Sequence, residues 1–397
     1  MSLFPKHKKI WQKILLLCFY DVKEYIHRPL VLFCLLVAPL LCIFFFTSLM
    51  MAGLPTDLPA AVVDEDDTQV TRSFIRTMDA MEQTDIVVRY KTFSDAREAM
   101  QKGEIYAFFY IPKGTTQEAI SSRQPHVSFY TNETYFIPSA LLMKDMRMSA
   151  ELLGLSLTRE TLYGKGLTPN RAMGILQPIV IEKHPLGNPY LNYSVYLTNI
   201  ILPGIVFILT MLMSSYVIGM EWKKGRQRQL YREVGYSQTT AIAGKLLPIT
   251  LIYSFFILFI DVYLYKYLEF PCQCGVFPMF VWGTLGVLAS QGIAILVFGI
   301  FVGQMRFSMS ICSLWGILGI SLSGFTFPVS AMHPVLQSLC YLFPLRHYYL
   351  IYVDQALNGY SIAYVWTSVF ALLCFMLVPF VVMPRYRMAF LKTKYKP

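Results

Sequence analysis

The sequence predicts a multispanning α-helical membrane protein with a water-soluble α/β domain inserted between its first and second transmembrane helices. Composition is the first observation: 55% of residues are hydrophobic and 15% aromatic, and mean hydropathy is +0.48, above what a soluble domain carries. The second is a set of six apolar runs, Pro29 to Met51, Val195 to Gly219, Leu246 to Tyr265, Val276 to Val302, Ser308 to Phe327 and Ser361 to Met383. Each is near or above the roughly 20 residues that hydrocarbon thickness demands. The third is the long polar stretch, residues 52–194, between the first two runs. The first run is too long, and its flank too unlike a cleavage site, for a signal peptide.

Orientation follows from Lys and Arg, which are retained on the cytoplasmic side when they sit in short loops. The segment 1–28 carries Lys6, Lys8, Lys9, Lys13, Lys23 and Arg28, and the loop 220–245 carries Lys223, Lys224, Arg226, Arg228, Arg232 and Lys245. Arg306 follows the fourth run, and the tail 384–397 adds Arg385, Arg387, Lys392, Lys394 and Lys396. Short loops on the other side offer only Lys266 and Arg346. Both termini are therefore expected in the cytoplasm and residues 52–194 outside. The outer segment is net −3 and the remainder +13, so the pI near 9.1 reports topology and contact with anionic membrane lipids rather than nucleic-acid binding.

Within residues 52–194 strand and helix signals alternate. Leu58 to Val63 is an apolar strand ending in Asp64, Glu65, Asp66 and Asp67, with Thr68 or Asp67 as cap of a helix through Met81. Thr84 to Tyr90 reads as a second strand, and Ser94 as the cap of a helix that Gly103 stops. Ile105 to Ile111 is a third strand closed by Pro112-Lys113-Gly114; Thr116 to Ser122 is a short helix and Val127 to Tyr130 a fourth strand. From Pro138 to Tyr163, Leu141, Leu142, Met146, Met148, Leu152, Leu153 and Leu157 give helical spacing, for packing on the domain or on a second copy. The four acids read as solvated turn carboxylates, since no spaced Glu or Gly completes a calcium loop. Asn132-Glu-Thr and Asn192-Tyr-Ser fit the glycosylation pattern, which has meaning only on a eukaryotic secretory route.

Residues 8–27 form an amphipathic helix, with Trp11, Ile14, Leu15, Cys18 and Phe19 apolar and Lys9, Lys13, Lys23 and Glu24 polar. It suits a segment lying flat in lipid headgroups or one anchored by its basic residues. The loop 220–245 reads as a short charged helix running on from the second span, a turn at Gly235, and Ser237 capping the helix that becomes the third span.

That loop also carries an ordered set of motifs. It has Glu221-x-x-x-Gly225, then a short helix and a turn, then Gly244-Lys245-x-x-Pro248. Elsewhere stand Leu58-Pro-Ala-Ala-Val-Val-Asp64-Glu-Asp66, Ile111-Pro112, Asn188-Pro189 followed by Pro203-Gly204, and Phe327-Pro328 through Met332, Pro334, Gln337, Phe343-Pro344 and Gly359. Together they resemble the permeases of type-2 ABC exporters, the ABC-2 family, over nearly the whole chain. The resemblance implies the six-helix type-2 ABC exporter fold with an inserted extracytoplasmic α/β domain. Its parts would be spans at 29–51, 195–219, 246–265, 276–302, 308–327 and 361–383, with an outer re-entrant segment at 328–360. Arg226 departs from the pattern, since the family usually places Thr after that Gly, which bears on the local docking detail.

By the same resemblance, the chain is expected to be the permease subunit of an ATP-driven exporter in a bacterial inner membrane, moving a small amphiphilic, drug-like or lipid-like substrate out of the cytoplasm or membrane. Glu221, Lys223, Lys224, Gly225, Arg226, Leu230 and Gly235 would couple it to a separate ATP-binding cassette subunit that holds ATP and Mg. The chain has no G-x-x-x-x-G-K-[ST] phosphate loop, no H-E-x-x-H pair, no Ser with a His partner in its spans and no carboxylate dyad, so it is expected to be no enzyme and to hold no cofactor or metal. A second permease, identical or paralogous, is expected as partner; a periplasmic adaptor and an outer-membrane channel stay open. The alternative is a non-transporting receptor or scaffold that displays the outer domain.

Four further features bear on the spans. Asp261 is the one clear carboxylate inside a span and is expected to form a partly solvated pair with Lys266. Cys272 and Cys274 share a loop without further ligands, and the other cysteines are small apolar residues of the helices. His333 and His347 are expected as interfacial polar groups. Gly299, Gly303, Gly316, Gly319 and Gly324 permit close helix packing.

Overall fold

The computed structural model describes residues 10–51, 53–121, 123, 125–189 and 191–395 and is mostly helical, with one four-stranded sheet. Lys6, Lys8, Lys9 and Lys396 lie outside the described residues. The chain divides into two compact units, Met1–Gly53 with Pro185–Pro397, and Leu54–His184.

Six helices of the first unit are long and apolar enough to cross a membrane: Pro29–Leu49, Tyr193–Lys223, Gln238–Tyr267, Val276–Ile300, Met305–Leu322 and Ile362–Lys392. The second and fourth are the most enclosed, 67% and 72% buried, against 28% for the first, fifth and sixth. The second packs on the third, fourth and fifth, and the fourth also on the third and sixth. Asn192 starts the second span by accepting the amides of Ser194 and Val195 at 2.8 and 3.3 Å, and Ser237 starts the third by accepting that of Thr240 at 3.3 Å. Close approach needs small residues: a Cβ at Gly292 of the fourth span would stand 2.0 Å from the Phe375 carbonyl oxygen of the sixth.

Two of the departures from the sequence expectation have a visible cause. The fifth span stops at Leu322 and not Phe327, because Arg346 donates to the Ser323 carbonyl at 2.7 Å and Gly324 turns at φ +98°. The tail expected from 384 onward is a helix, Met383–Lys392, with Tyr386, Ala389 and Phe390 buried. Its apolar stripe at i, i+3 and i+4 lies among the arginines and lysines that mark the segment as a charged tail. Between the fifth and sixth spans the chain forms short helices, Pro334–Cys340 and Pro344–Ile351, each opened by a proline. His333 caps the first of these, and His347 is buried with Nε2 2.9 Å from the Tyr341 carbonyl.

The second unit is an α/β domain. Its elements are β1 (Leu58–Asp64), α1 (Gln69–Asp79), β2 (Thr84–Tyr90), α2 (Phe93–Lys102), β3 (Ala107–Ile111), α3 (Thr115–Ile120), β4 (Ser128–Thr131), α4 (Phe136–Gly164) and α5 (Pro169–Leu176). The sheet order is β2-β1-β3-β4, with β1 parallel to β2 and β3, and β4 antiparallel to β3. β1 is apolar from Leu58 to Val63 because both its faces are covered. Ala60 and Val62 join Phe74, Met78, Phe109, Leu142 and Met146 on one side, and Ala61 and Val63 join Ala96, Ala99 and Phe108 on the other.

Thr68 caps α1, whereas Thr92 and not Ser94 caps α2, accepting the Asp95 amide at 3.2 Å. The first half of α4 is fixed to the sheet by Asp145, buried and accepting the Gln83 amide at 3.1 Å and the Thr84 hydroxyl at 3.0 Å. Asp66 accepts the Thr116 hydroxyl and the Gly114 and Thr116 amides at 2.6, 2.7 and 3.0 Å. The Thr116 hydrogen bond is the largest cause holding its carboxyl below the usual range. The acidic turn therefore ties two loops together, and among the described residues no group of acids, Cys and His is placed to hold a metal.

Candidate coupling site

The juxtamembrane helix Ile10–Ile26 packs along the third span. Its buried stripe is Ile14, Leu17, Asp21 and Tyr25, while Trp11, Leu15 and Phe19 are exposed. Of the face expected to be apolar, Ile14 is buried while Trp11, Leu15 and Phe19 point away from the protein, and the stripe that meets the span has a carboxylate in it. The two helices touch where the span has no side chain: a Cβ at Gly244 would lie 2.7 Å from Leu17 Cδ2 and 3.1 Å from its Cβ.

Around Asp21 seven charged groups converge from four pieces of chain. Lys245 Nζ, on the third span, donates to Asp21 Oδ1 at 2.6 Å and to Glu221 Oε1, near the end of the second span, at 2.8 Å. Arg226 bonds the same Glu221 oxygen at 3.2 Å and Glu24 Oε2 at 3.1 Å. Lys224 and Arg28 also pair with Glu24. Asp21, Glu221 and Lys245 are 0%, 5% and 5% exposed. Three acids face four bases, so the cluster is close to neutral when fully ionised. Buried charges survive only where they are paired in this way.

Two polar atoms of the cluster are left over. Asp21 Oδ2 and Arg226 Nε are buried and have no hydrogen-bond partner among the described residues. Burial is the main cause that pushes the Asp21 carboxyl up to about 7, and Lys245 is the main opposing influence.

The turn after the second span is short and rigid. Gly225 at φ +66° breaks the helix, Gln227–Glu233 forms a two-turn helix, and Gly235 at φ +86° ends it. Leu230 and Tyr231 point inward; Tyr231 stacks on Phe390 at 5.1 Å, and Trp222 lies 4.8 Å from the same ring. Gln227 Nε2 reaches the Thr393 carbonyl at 3.3 Å. The loop helix is therefore fastened to the juxtamembrane helix by charge and to the C-terminal helix by aromatic stacking. Arg228, Gln229, Arg232 and Tyr236 stay exposed.

Of the residues singled out from sequence, Glu221, Lys224 and Arg226 enter this cluster, Leu230 packs beneath the loop helix, and Gly225 and Gly235 make its two turns. Lys223 is exposed, outside the cluster. Asp21, at the centre, was not among them, and Lys245 stood in the Gly244-Lys245-x-x-Pro248 motif without being counted among the coupling residues. The legible signal for Asp21 was a carboxylate on the stripe Ile14, Leu17, Tyr25 of a basic helix.

Asp261 is elsewhere. It lies on the same helix as Lys245, about 24 Å along at 1.5 Å per residue. It is 1% exposed, with Oδ2 lacking a hydrogen-bond partner among the described residues. The expected pair with Lys266 does not form: Lys266 is exposed, and no ion pair joins them. One turn and a fraction of helix separates their side chains onto different faces. Cys272 and Cys274 are unbridged, with sulfurs 3.9 Å apart.

No curated protein matches the chain. The family model described as ABC-2 family transporter protein matches residues 29–383, a range that takes in all six long apolar helices except the last turns of the sixth. The chain is therefore a multi-pass transport permease and belongs to the ABC-2 family of transporter proteins.

Proposed function

We propose that the chain is the membrane subunit of an ATP-driven exporter and that the charged cluster around Asp21 transmits movement from a separate ATP-binding cassette subunit. The observation that carries this reading is the joining of Glu221, Lys245, Asp21 and Glu24, which makes the loop helix, the juxtamembrane helix and two spans one mechanical block. A push on the exposed Arg228, Arg232 and Tyr236 moves that block as a unit. In this reading both termini are cytoplasmic, the membrane is a bacterial inner membrane, ATP and Mg sit on the partner, and a second permease encloses the path. The cargo is a small amphiphilic, drug-like or lipid-like molecule. Asp261, buried in the third span, is a polar group available to that path.

The test is vanadate-sensitive ATP hydrolysis copurifying with the chain from membranes. Glu221→Gln, and separately deletion of Gly225, should abolish the hydrolysis that depends on this chain while membrane insertion stays at the wild-type level. Unchanged hydrolysis in a well-inserted variant refutes the coupling role. Absence of any copurifying ATPase supports the receptor or scaffold reading instead.

A further inference from the structure

We propose that the cleft of the inserted domain between α1, α3 and α4 is a binding site for an anionic amphiphile with a single apolar chain. The cleft has a volume of about 790 Å³, within the ~300–1,000 Å³ of small-molecule sites. Phe74 and Ile111 form its floor, only 3% and 1% exposed, and Leu153 and Leu157 of α4 form a wall. An apolar floor and wall enclosing this volume accommodate a chain of methylenes.

The threonines that line the cleft add methyl groups and little else. The Thr71, Thr115, Thr158 and Thr161 hydroxyls donate to the carbonyls of Thr68, Pro112, Gly154 and Leu157 at 3.1, 2.6, 2.8 and 2.9 Å, and that of Thr116 donates to Asp66 at 2.6 Å. With their protons spent, they offer no donor to a ligand. No lining residue is acidic. What remains at the rim is the guanidinium of Arg123 and the ammonium of Lys165, both exposed and neither in an ion pair among the described residues. An apolar slot with two unpaired cations at its edge fits a carboxylate or phosphate attached to one acyl chain.

Gly154 is the second, independent pointer. It lies inside the 29-residue helix α4, where glycine costs about 1 kcal/mol relative to alanine. It also lines the cleft, and a Cβ there would meet no atom within 4 Å. No neighbour in the fold therefore demands the missing side chain; the room it leaves belongs to the cleft.

The site stands whether or not the chain is an exporter, so its test reads no ATP hydrolysis. The full-length chain in phosphatidylcholine nanodiscs is photolabelled with a diazirine-bearing palmitate and the labelled peptides are mapped by mass spectrometry. Label is expected on peptides of α1, α3 and α4. Excess palmitate should compete and excess hexadecanol should not. Arg123→Gln with Lys165→Gln should lower labelling by about tenfold or more. Gly154→Phe, whose Cβ would meet no atom within 4 Å and whose ring would enter the cleft, should remove it without lowering the midpoint of thermal unfolding. Label confined to the spans, equal competition by the alcohol, labelling indifferent to Gly154→Phe, or burial of the cleft by a second copy or another protein would overturn the assignment.

Discussion

Lys245 Nζ lies 2.6 Å from Oδ1 of Asp21, a residue 224 positions earlier, and both side chains are buried. The same ammonium holds Glu221 at 2.8 Å. One cation thus neutralises two buried carboxylates that belong to different helices, and its removal is felt by both.

Lys245→Met should therefore destabilise the protein by roughly 3–5 kcal/mol, because it leaves two buried carboxylates close together without their shared partner. Combining it with Asp21→Asn and Glu221→Gln should recover a large part of the loss, since the cost lies in unpaired charge and not in the missing ion pair itself. Thermal unfolding in detergent measures both. A triple variant whose loss equals the sum of three single losses would show that the groups do not interact.

The pH dependence has a definite sign. The folded Asp21 carboxyl holds its proton to about pH 7, whereas the unfolded one releases it near 3.8. Between those values the folded state binds the extra proton, so this contribution to stability is complete below 3.8 and is lost as pH rises through about 7. The midpoint of thermal unfolding is accordingly expected to fall from about pH 4 to about pH 7 and to level off above, and Asp21→Asn should flatten that slope. An identical slope in the variant would place the titrating group elsewhere.

Gly244 and Leu17 form a size pair across the juxtamembrane helix and the third span. Gly244→Ala puts a methyl 2.7 Å from Leu17 Cδ2, an overpacking that costs about 1–3 kcal/mol. Leu17→Ala in the same chain should relieve it. Cysteine crosslinking between the two helices, weakened by Gly244→Ala and restored in the double variant, checks the expectation independently of stability.

The membrane spans and the domain's elements were legible because each rests on local pattern. Apolar length, the continuous apolar run of β1, and turn residues such as Gly103, Gly225 and Gly235 act within a few positions of themselves. Ends were less legible where a distant group sets them: Arg346 terminates the fifth span through the Ser323 carbonyl, and Trp222 and Tyr231 give the C-terminal helix the aromatic surface on which it folds. The pair expected between Asp261 and Lys266 failed for a related reason, since closeness in sequence does not put two side chains on one face.

Six helices long and apolar enough to cross a membrane, and an α/β domain between the first two, were readable from the residues alone. Those features follow from the cost of exposing apolar surface to water and from backbone geometry, both of which are local. Which of its many charges join in one cluster is set by tertiary packing. Asp21, Glu24, Glu221 and Lys245 are scattered over 225 positions. Their pairing is set by the packing of the juxtamembrane helix against Gly244, a contact that brings the buried charges within bonding distance.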